Sequence, residues 1–215
     1  MSYRSRGFNL TLLLIIINVI VFLVVTVLQT KLGPNFVYYL AVQPKAILHL
    51  QNLWTLVTNM FVHASFVYLF VNMVSLYFIG NFLEKLIGKK KFILIYLVSG
   101  IVASLFFVFL ASSTQLEIPA VGASGAIFGV AGVLALIAPR VPVYIFFIPI
   151  ATPLWIGVVI ALAVTWFASL TAGLPIGNTA HLGGLIAGVL YGLYLRKKYA
   201  KKVAFLDSMF KRMYH

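Results

Sequence analysis

The chain has 215 residues, of which 63% are hydrophobic and 9% charged, with a formal net charge of +13 and a mean hydropathy of +1.09. A soluble domain carries about 25% charged residues, so polar surface is too scarce here to cover a globule and lipid must solvate much of the chain. A large soluble domain is excluded, and the absence of cysteine excludes disulfides, thiolate metal sites and a cysteine nucleophile.

Six apolar segments are predicted, an all-α polytopic membrane protein with six transmembrane helices. The first, 8–28, follows Arg4 and Arg6 but is too long for a signal-peptide core and lacks a small-residue cleavage site, so it reads as a retained span. A longer, moderately polar loop, 31–64, carries Tyr38, Tyr39 and Trp54, which suit the headgroup layer and predict an interfacial loop between helices 1 and 2. Spans at 65–83 and 92–111 follow, then a short one at 124–138 that begins or ends beneath the membrane surface. The fifth, 144–170, contains Pro149 and Pro153 and is expected to be kinked, or regular only after Leu154. The sixth is 179–195. Residues 1–195 thus form one membrane domain, and 196–215 a basic tail that is either an amphipathic interfacial helix or disordered.

Basic residues fix an orientation. With the N-terminus cytoplasmic, 14 of the 16 Lys and Arg residues fall on inner segments, leaving only Lys31 and Lys45 outside. The positive-inside rule then puts both termini in the cytoplasm of a multi-pass cell-membrane protein. Clusters beside apolar runs read as topology and contact with anionic lipids at the cytoplasmic face, not as nucleic-acid binding.

Polar groups within the spans are expensive and need a reason. They are Tyr68, Asn72, Ser75, Ser124, Thr165 and His181, with His63 at the outer edge of span two. Carboxylates are nearly absent: Glu84 lies at an inner helix end, Glu117 in an outer loop and Asp207 in the tail. This argues against ion-coupled transport and gives Glu84, near Lys85 and Lys89, a structural hydrogen-bond or ion-pair role rather than a proton relay. No cofactor or metal is called for.

Spans two, four and six all run inward, so Asn72, Ser124 and His181 share a depth in the outer part of the membrane. His181, Gly184, Gly188 and Gly192 lie on one face of span six, and Gly125, Gly129 and Gly132 form a stripe beside Ser124 in span four. Small residues let helix backbones approach closely. If the stripes face each other, the Ser124 hydroxyl reaches an imidazole nitrogen of His181, a nucleophile with its general base. Backbone N–H groups at the helix start around Ser124, with the Asn72 amide, are candidate oxyanion donors. With no acid to orient the imidazole, the pair would be a dyad. Each feature alone has a blander reading: the glycines as packing, His181 and Asn72 as interhelical hydrogen-bonders.

The segment from His63 through Tyr68 and Asn72, followed by Gly80 and Glu84, resembles the second span of the rhomboid family. Gly122-Ala123-Ser124-Gly125 is similar to its GxSG motif, and Ala180-His181-Leu182-Gly183-Gly184 to its AHxxG motif. The resemblance implies a rhomboid-like bundle and an intramembrane serine protease that cuts transmembrane protein substrates. Ser124 would be the nucleophile and His181 the base, with Asn72 and the Ser124 N–H on the oxyanion. Trp166 and Phe167 would line a lateral substrate gate. Three positions depart from the pattern. Tyr68 stands where many members have a second histidine, its phenol O–H still able to donate to the oxyanion; Trp54-Thr55 stands where Trp-Arg is usual; and Phe128 replaces a tyrosine that stacks on the histidine, keeping the stacking without the hydroxyl. A non-catalytic binder or chaperone for transmembrane helices is the alternative, and a small-molecule transporter the third.

Overall fold

The computed structural model describes residues 9–144, 151–172 and 177–211, and they are mostly helical. Helix α1 (Leu10–Leu32) begins where the Asn9 side chain accepts from the Leu12 N–H and ends at Gly33, whose φ of 90° breaks the helix before Pro34. It buries only Thr11, Leu14, Asn18 and Val25, a thin stripe, and turns the rest outward. The 31–64 region is a chain of short turns, among them α2 (Pro44–Leu48) and α3 (Thr55–Thr58).

Helix α4 (Phe66–Ser75) starts at Ser65, whose side chain accepts from the Tyr68 N–H, and continues through a π-turn at Leu76–Gly80 into α5 (Asn81–Ile87). A Cβ on Gly80 would crowd Thr11 of α1, so the π-turn lies where the two helices touch. One turn further, the buried Glu84 carboxylate accepts hydrogen bonds from Leu10 N (3.0 Å), Thr11 N (2.8 Å) and Thr11 Oγ1 (2.7 Å). It supplies the acceptors that the start of α1 lacks, in keeping with the structural role read from its position.

Helix α6 (Lys89–Phe109) precedes an outer loop, and α7 (Ser124–Ile137) runs through the centre with ten of its residues buried. Fourteen residues span about 21 Å, short of a crossing, as the apolar pattern predicted. The fifth apolar segment is helical only from Leu154, one of the two outcomes expected for it: Pro142–Tyr144 (β1) pairs antiparallel with Ala151–Pro153 (β2), and helix α8 runs over Leu154–Ala172. A strand pair satisfies backbone groups that the prolines deny to a helix; Pro149 itself lies outside the described residues. Helices α9 (Asn178–Lys198) and α10 (Ala200–Lys211) meet at a break at Tyr199. Of the two readings of the tail, the described part is helix: Val203 is buried, Phe210 packs edge-on to Phe82 at 6.5 Å, and Asp207 pairs with Arg140.

Among the described residues, four helical stretches are long and apolar enough to cross a membrane: Leu10–Leu32, Phe66–Ile87, Lys89–Phe109 and Leu154–Ala172. Together with the shorter α7 they make this a multi-pass membrane protein. The deepest packing joins α7, α9 and α6. A Cβ on Gly184 would collide with the Gly125 carbonyl, and one on Gly188 with that of Gly129, so the α7 and α9 backbones touch directly.

Candidate active site

Glycine contact brings the predicted pair together. Ser124 heads α7, His181 lies in the first turn of α9, and His181 Nε2 is 2.7 Å from Ser124 Oγ. His181 is 3% exposed. Its ring stacks on Phe128, one turn into α7, with centroids 4.6 Å apart and planes 26° apart. The stacking anticipated for Phe128 is therefore present without a hydroxyl. If the serine O–H donates to Nε2, the ring proton sits on Nδ1. That nitrogen is buried and has no hydrogen-bond partner among the described residues, none of which orients the imidazole from behind.

Tyr68 provides the second contact. Its hydroxyl lies 2.9 Å from Ser124 Oγ and 3.3 Å from the Val121 carbonyl oxygen. With the serine proton directed to His181, the phenol O–H is the donor to Oγ, and the serine oxygen is held from two sides. Gly122 makes room for this: its φ is 126°, and an added Cβ would strike the Tyr68 hydroxyl. The Gly122 N–H donates to the Asn59 carbonyl at 2.8 Å, and the Asn59 side chain reaches Ser104 Oγ of α6 at 3.0 Å. The turn before Ser124 is thus tied to the α3–α6 layer.

Asn72 is buried, but its Nδ2 donates to the Tyr68 carbonyl one turn back, at 2.9 Å, and not to Ser124. The same side chain also hydrogen-bonds the Tyr68 phenol, so it reaches the serine through that hydroxyl. Backbone N–H groups at the start of α7 remain the nearest donor set to the serine. Trp166 and Phe167 lie on α8, 39% and 68% exposed, away from the hydrogen-bonded cluster.

Sequence reading missed two participants. The buried His63 ring sits edge-on to Tyr68, centroids 5.5 Å apart, with Nε2 3.5 Å from the Ala123 N–H. The 31–64 region is stitched to the loop before Ser124: Val42 and Ala120 exchange backbone hydrogen bonds, and Lys45 pairs with Glu117. His63 was visible as a polar residue near the same depth; the stitching had no local signal. Among the described residues no three His, Asp or Glu side chains cluster to hold a metal.

The Rhomboid domain profile matches residues 50–198, which contain every residue of this cluster. The chain belongs to the rhomboid family. It is 34% identical over 153 residues to Rhomboid protein 1, mitochondrial, of Saccharomyces cerevisiae, covering 69% of this chain and 43% of that one. It is 34% identical over 135 residues to Rhomboid protease GluP of Bacillus subtilis, covering 63% and 24%. Inactive RHOMBOID-like protein 8 of Arabidopsis thaliana is 32% identical over 90 residues, covering 42% and 24%. The matched regions span less than half the length of these relatives. The rhomboid family thus includes proteases and inactive members, and the distinction for this rhomboid rests on the chemistry around Ser124.

Proposed function

We propose that this rhomboid is an intramembrane serine endopeptidase that hydrolyses peptide bonds in or near transmembrane segments of membrane proteins. The observation that carries the reading is the 2.7 Å approach of Ser124 Oγ to His181 Nε2. Ser124 Oγ attacks the scissile carbonyl carbon as its proton passes to Nε2; the C–N bond then breaks and His181 returns that proton to the leaving amine. A water deprotonated by His181 hydrolyses the acyl-enzyme and restores the serine. The oxyanion is received by the Ser124 N–H, with Tyr68 turning its O–H from Oγ toward it and the Asn72 amide turning from Tyr68 to join them.

The wider arrangement belongs to the same proposal. Residues 1–195 form a six-span domain, with α7 and α9 counted as crossings and the 31–64 loop in the outer interface, where exposed Tyr38, Tyr39 and Trp54 support it. Both termini and the 196–215 tail are cytoplasmic, against anionic lipids. Substrate helices enter sideways past α8 near Trp166 and Phe167, a route supported by the absence of buried residues in α8 after Val158.

A second reading, a non-catalytic binder of transmembrane helices, draws on the hold that Tyr68 has on the serine oxygen and on the similarity to an inactive relative. A serine-reactive phosphonate and a reporter substrate with a single span separate the two. The peptidase is labelled and cleaves, and Ser124→Ala and His181→Ala abolish cleavage, by a factor on the order of 10⁴ or more. Capture of the reporter without cleavage, equal in wild type and Ser124→Ala, would establish the binder.

A further inference from the structure

The chain has three side-chain carboxylates, and the structure commits all of them. Glu84 holds the start of α1, Glu117 pairs with Lys45, and Asp207 pairs with Arg140. At the opposite end of the bundle from Ser124, three ammonium groups from three helices converge on one aromatic ring. Lys91, in the first turn of α6, donates to the Tyr199 hydroxyl at 2.9 Å and lies 5.0 Å from its ring centroid. Lys198, at the end of α9, donates to the Tyr194 hydroxyl at 2.9 Å and lies 5.9 Å from the Tyr199 centroid, as does Lys202 at the start of α10.

Such crowding is not a consequence of topology alone. The positive-inside rule requires basic residues at this end, but it does not require ammonium groups from three helices to gather on one ring, where like charges repel. The ring face and the phenol oxygen offset part of that repulsion, and no carboxylate among the described residues offsets the rest. Lys91 above all, then Lys198 and Lys202, hold the Tyr199 phenol below the usual tyrosine range. The missing counter-charge must come from outside the chain. The cluster sits where α6 and α9 leave the hydrocarbon, the level of lipid phosphates.

We propose that Lys91, Lys198 and Lys202, gathered around Tyr199, form a binding site for the phosphodiester of one anionic phospholipid. The site deepens the proposed contact with anionic lipid at the cytoplasmic face and is independent of the peptidase reading. One headgroup bridges α6, α9 and α10, and so braces the helix that carries His181 from its far end.

The test uses the full chain in neutral detergent, where no membrane field contributes. Phosphatidylglycerol, phosphatidylcholine of the same acyl chains, or inorganic phosphate is titrated in, and retained lipid is counted by native mass spectrometry. Phosphatidylglycerol is expected to bind at one saturable site. Lys91→Gln/Lys198→Gln/Lys202→Gln should weaken it about a hundredfold, from roughly fivefold per lysine. Lys197→Gln/Lys201→Gln/Lys211→Gln removes the same charge from α9 and α10 and should change it by about twofold or less. Thermal unfolding of both variants in detergent alone confirms that each is folded. Equal weakening in the two variants would mean a diffuse basic surface and would overturn the site while leaving the general lipid contact standing. Inorganic phosphate displacing the lipid at equal concentration would make it a site for soluble phosphate. No preference of the wild type for phosphatidylglycerol over phosphatidylcholine would remove both the site and the wider anionic-lipid reading.

Discussion

Helices α8 and α9 are neighbours in sequence and close in length, at 19 and 21 residues, yet they occupy the bundle differently. The most apolar stretch of α8 has a hydropathy of 2.0 with 17% of it buried in protein. Only Leu154, Gly157 and Val158, all near its start, are buried. Helix α9 is poorer in large apolar residues and falls outside the set long and apolar enough to cross. It nonetheless buries His181, Gly183, Gly184, Gly188, Gly192 and Leu195. In lipid, hydropathy reports contact with acyl chains, whereas glycine and buried polar groups report contact with other helices. Of these two, the helix that looks less like a span is the one that positions the imidazole, and the one that looks more like a span buries little against protein.

Substitutions should separate the two helices sharply. The largest stability effect is expected for Gly188→Val, whose side chain would meet the Gly129 carbonyl. Overpacking against backbone should cost about 3 kcal/mol or more, seen as a large drop in Tm in detergent; an unchanged Tm would mean that α9 is not locked onto α7. Next comes Tyr68→Phe, which removes one of the two hydrogen bonds to Ser124 Oγ. Reporter cleavage should fall about ten- to a hundredfold with little change in stability, and Tyr68→His should recover part of it. An unaffected rate would take the phenol out of the chemistry. Glu84→Ala leaves two N–H groups and a hydroxyl at the start of α1 without their acceptor, and should lower stability by about 2 kcal/mol. The smallest effects are expected on α8: Val159→Ala and Phe167→Ala should each shift stability by about 0.5 kcal/mol or less. Of the two, only Phe167→Ala should change cleavage rate, by a few-fold. A destabilisation on α8 as large as that of Gly188→Val would erase the contrast between the helices.

Much of this was legible from the chain, for a physical reason. Helix spans follow from the apolar runs, the start of α7 at Ser124 from the Gly122–Gly125 turn, and the facing of α7 and α9 from glycines at three- and four-residue spacing. Those are local periodicities, and a helix converts them directly into faces. Pairings between distant segments carried no such signal. Nothing near Glu84 specifies Thr11, and nothing near Lys45 specifies Glu117. Asn72 shows a subtler limit: the amide turns to a carbonyl in its own helix, a competition that spacing does not resolve. The fifth span is helical from Leu154, as its prolines allowed, but the pairing of Pro142–Tyr144 with Ala151–Pro153 ahead of it carried no local signal.

The carboxylate that receives the start of α1 belongs to a residue 73 positions later than Thr11. During synthesis α1 can enter the bilayer as soon as it emerges, but its first amide groups find their acceptor only once the whole of Phe66–Ile87 has followed. Docking of the first helix is therefore a late event in biogenesis, and a nascent chain stalled before Glu84 would hold that helix in lipid without a fixed rotation.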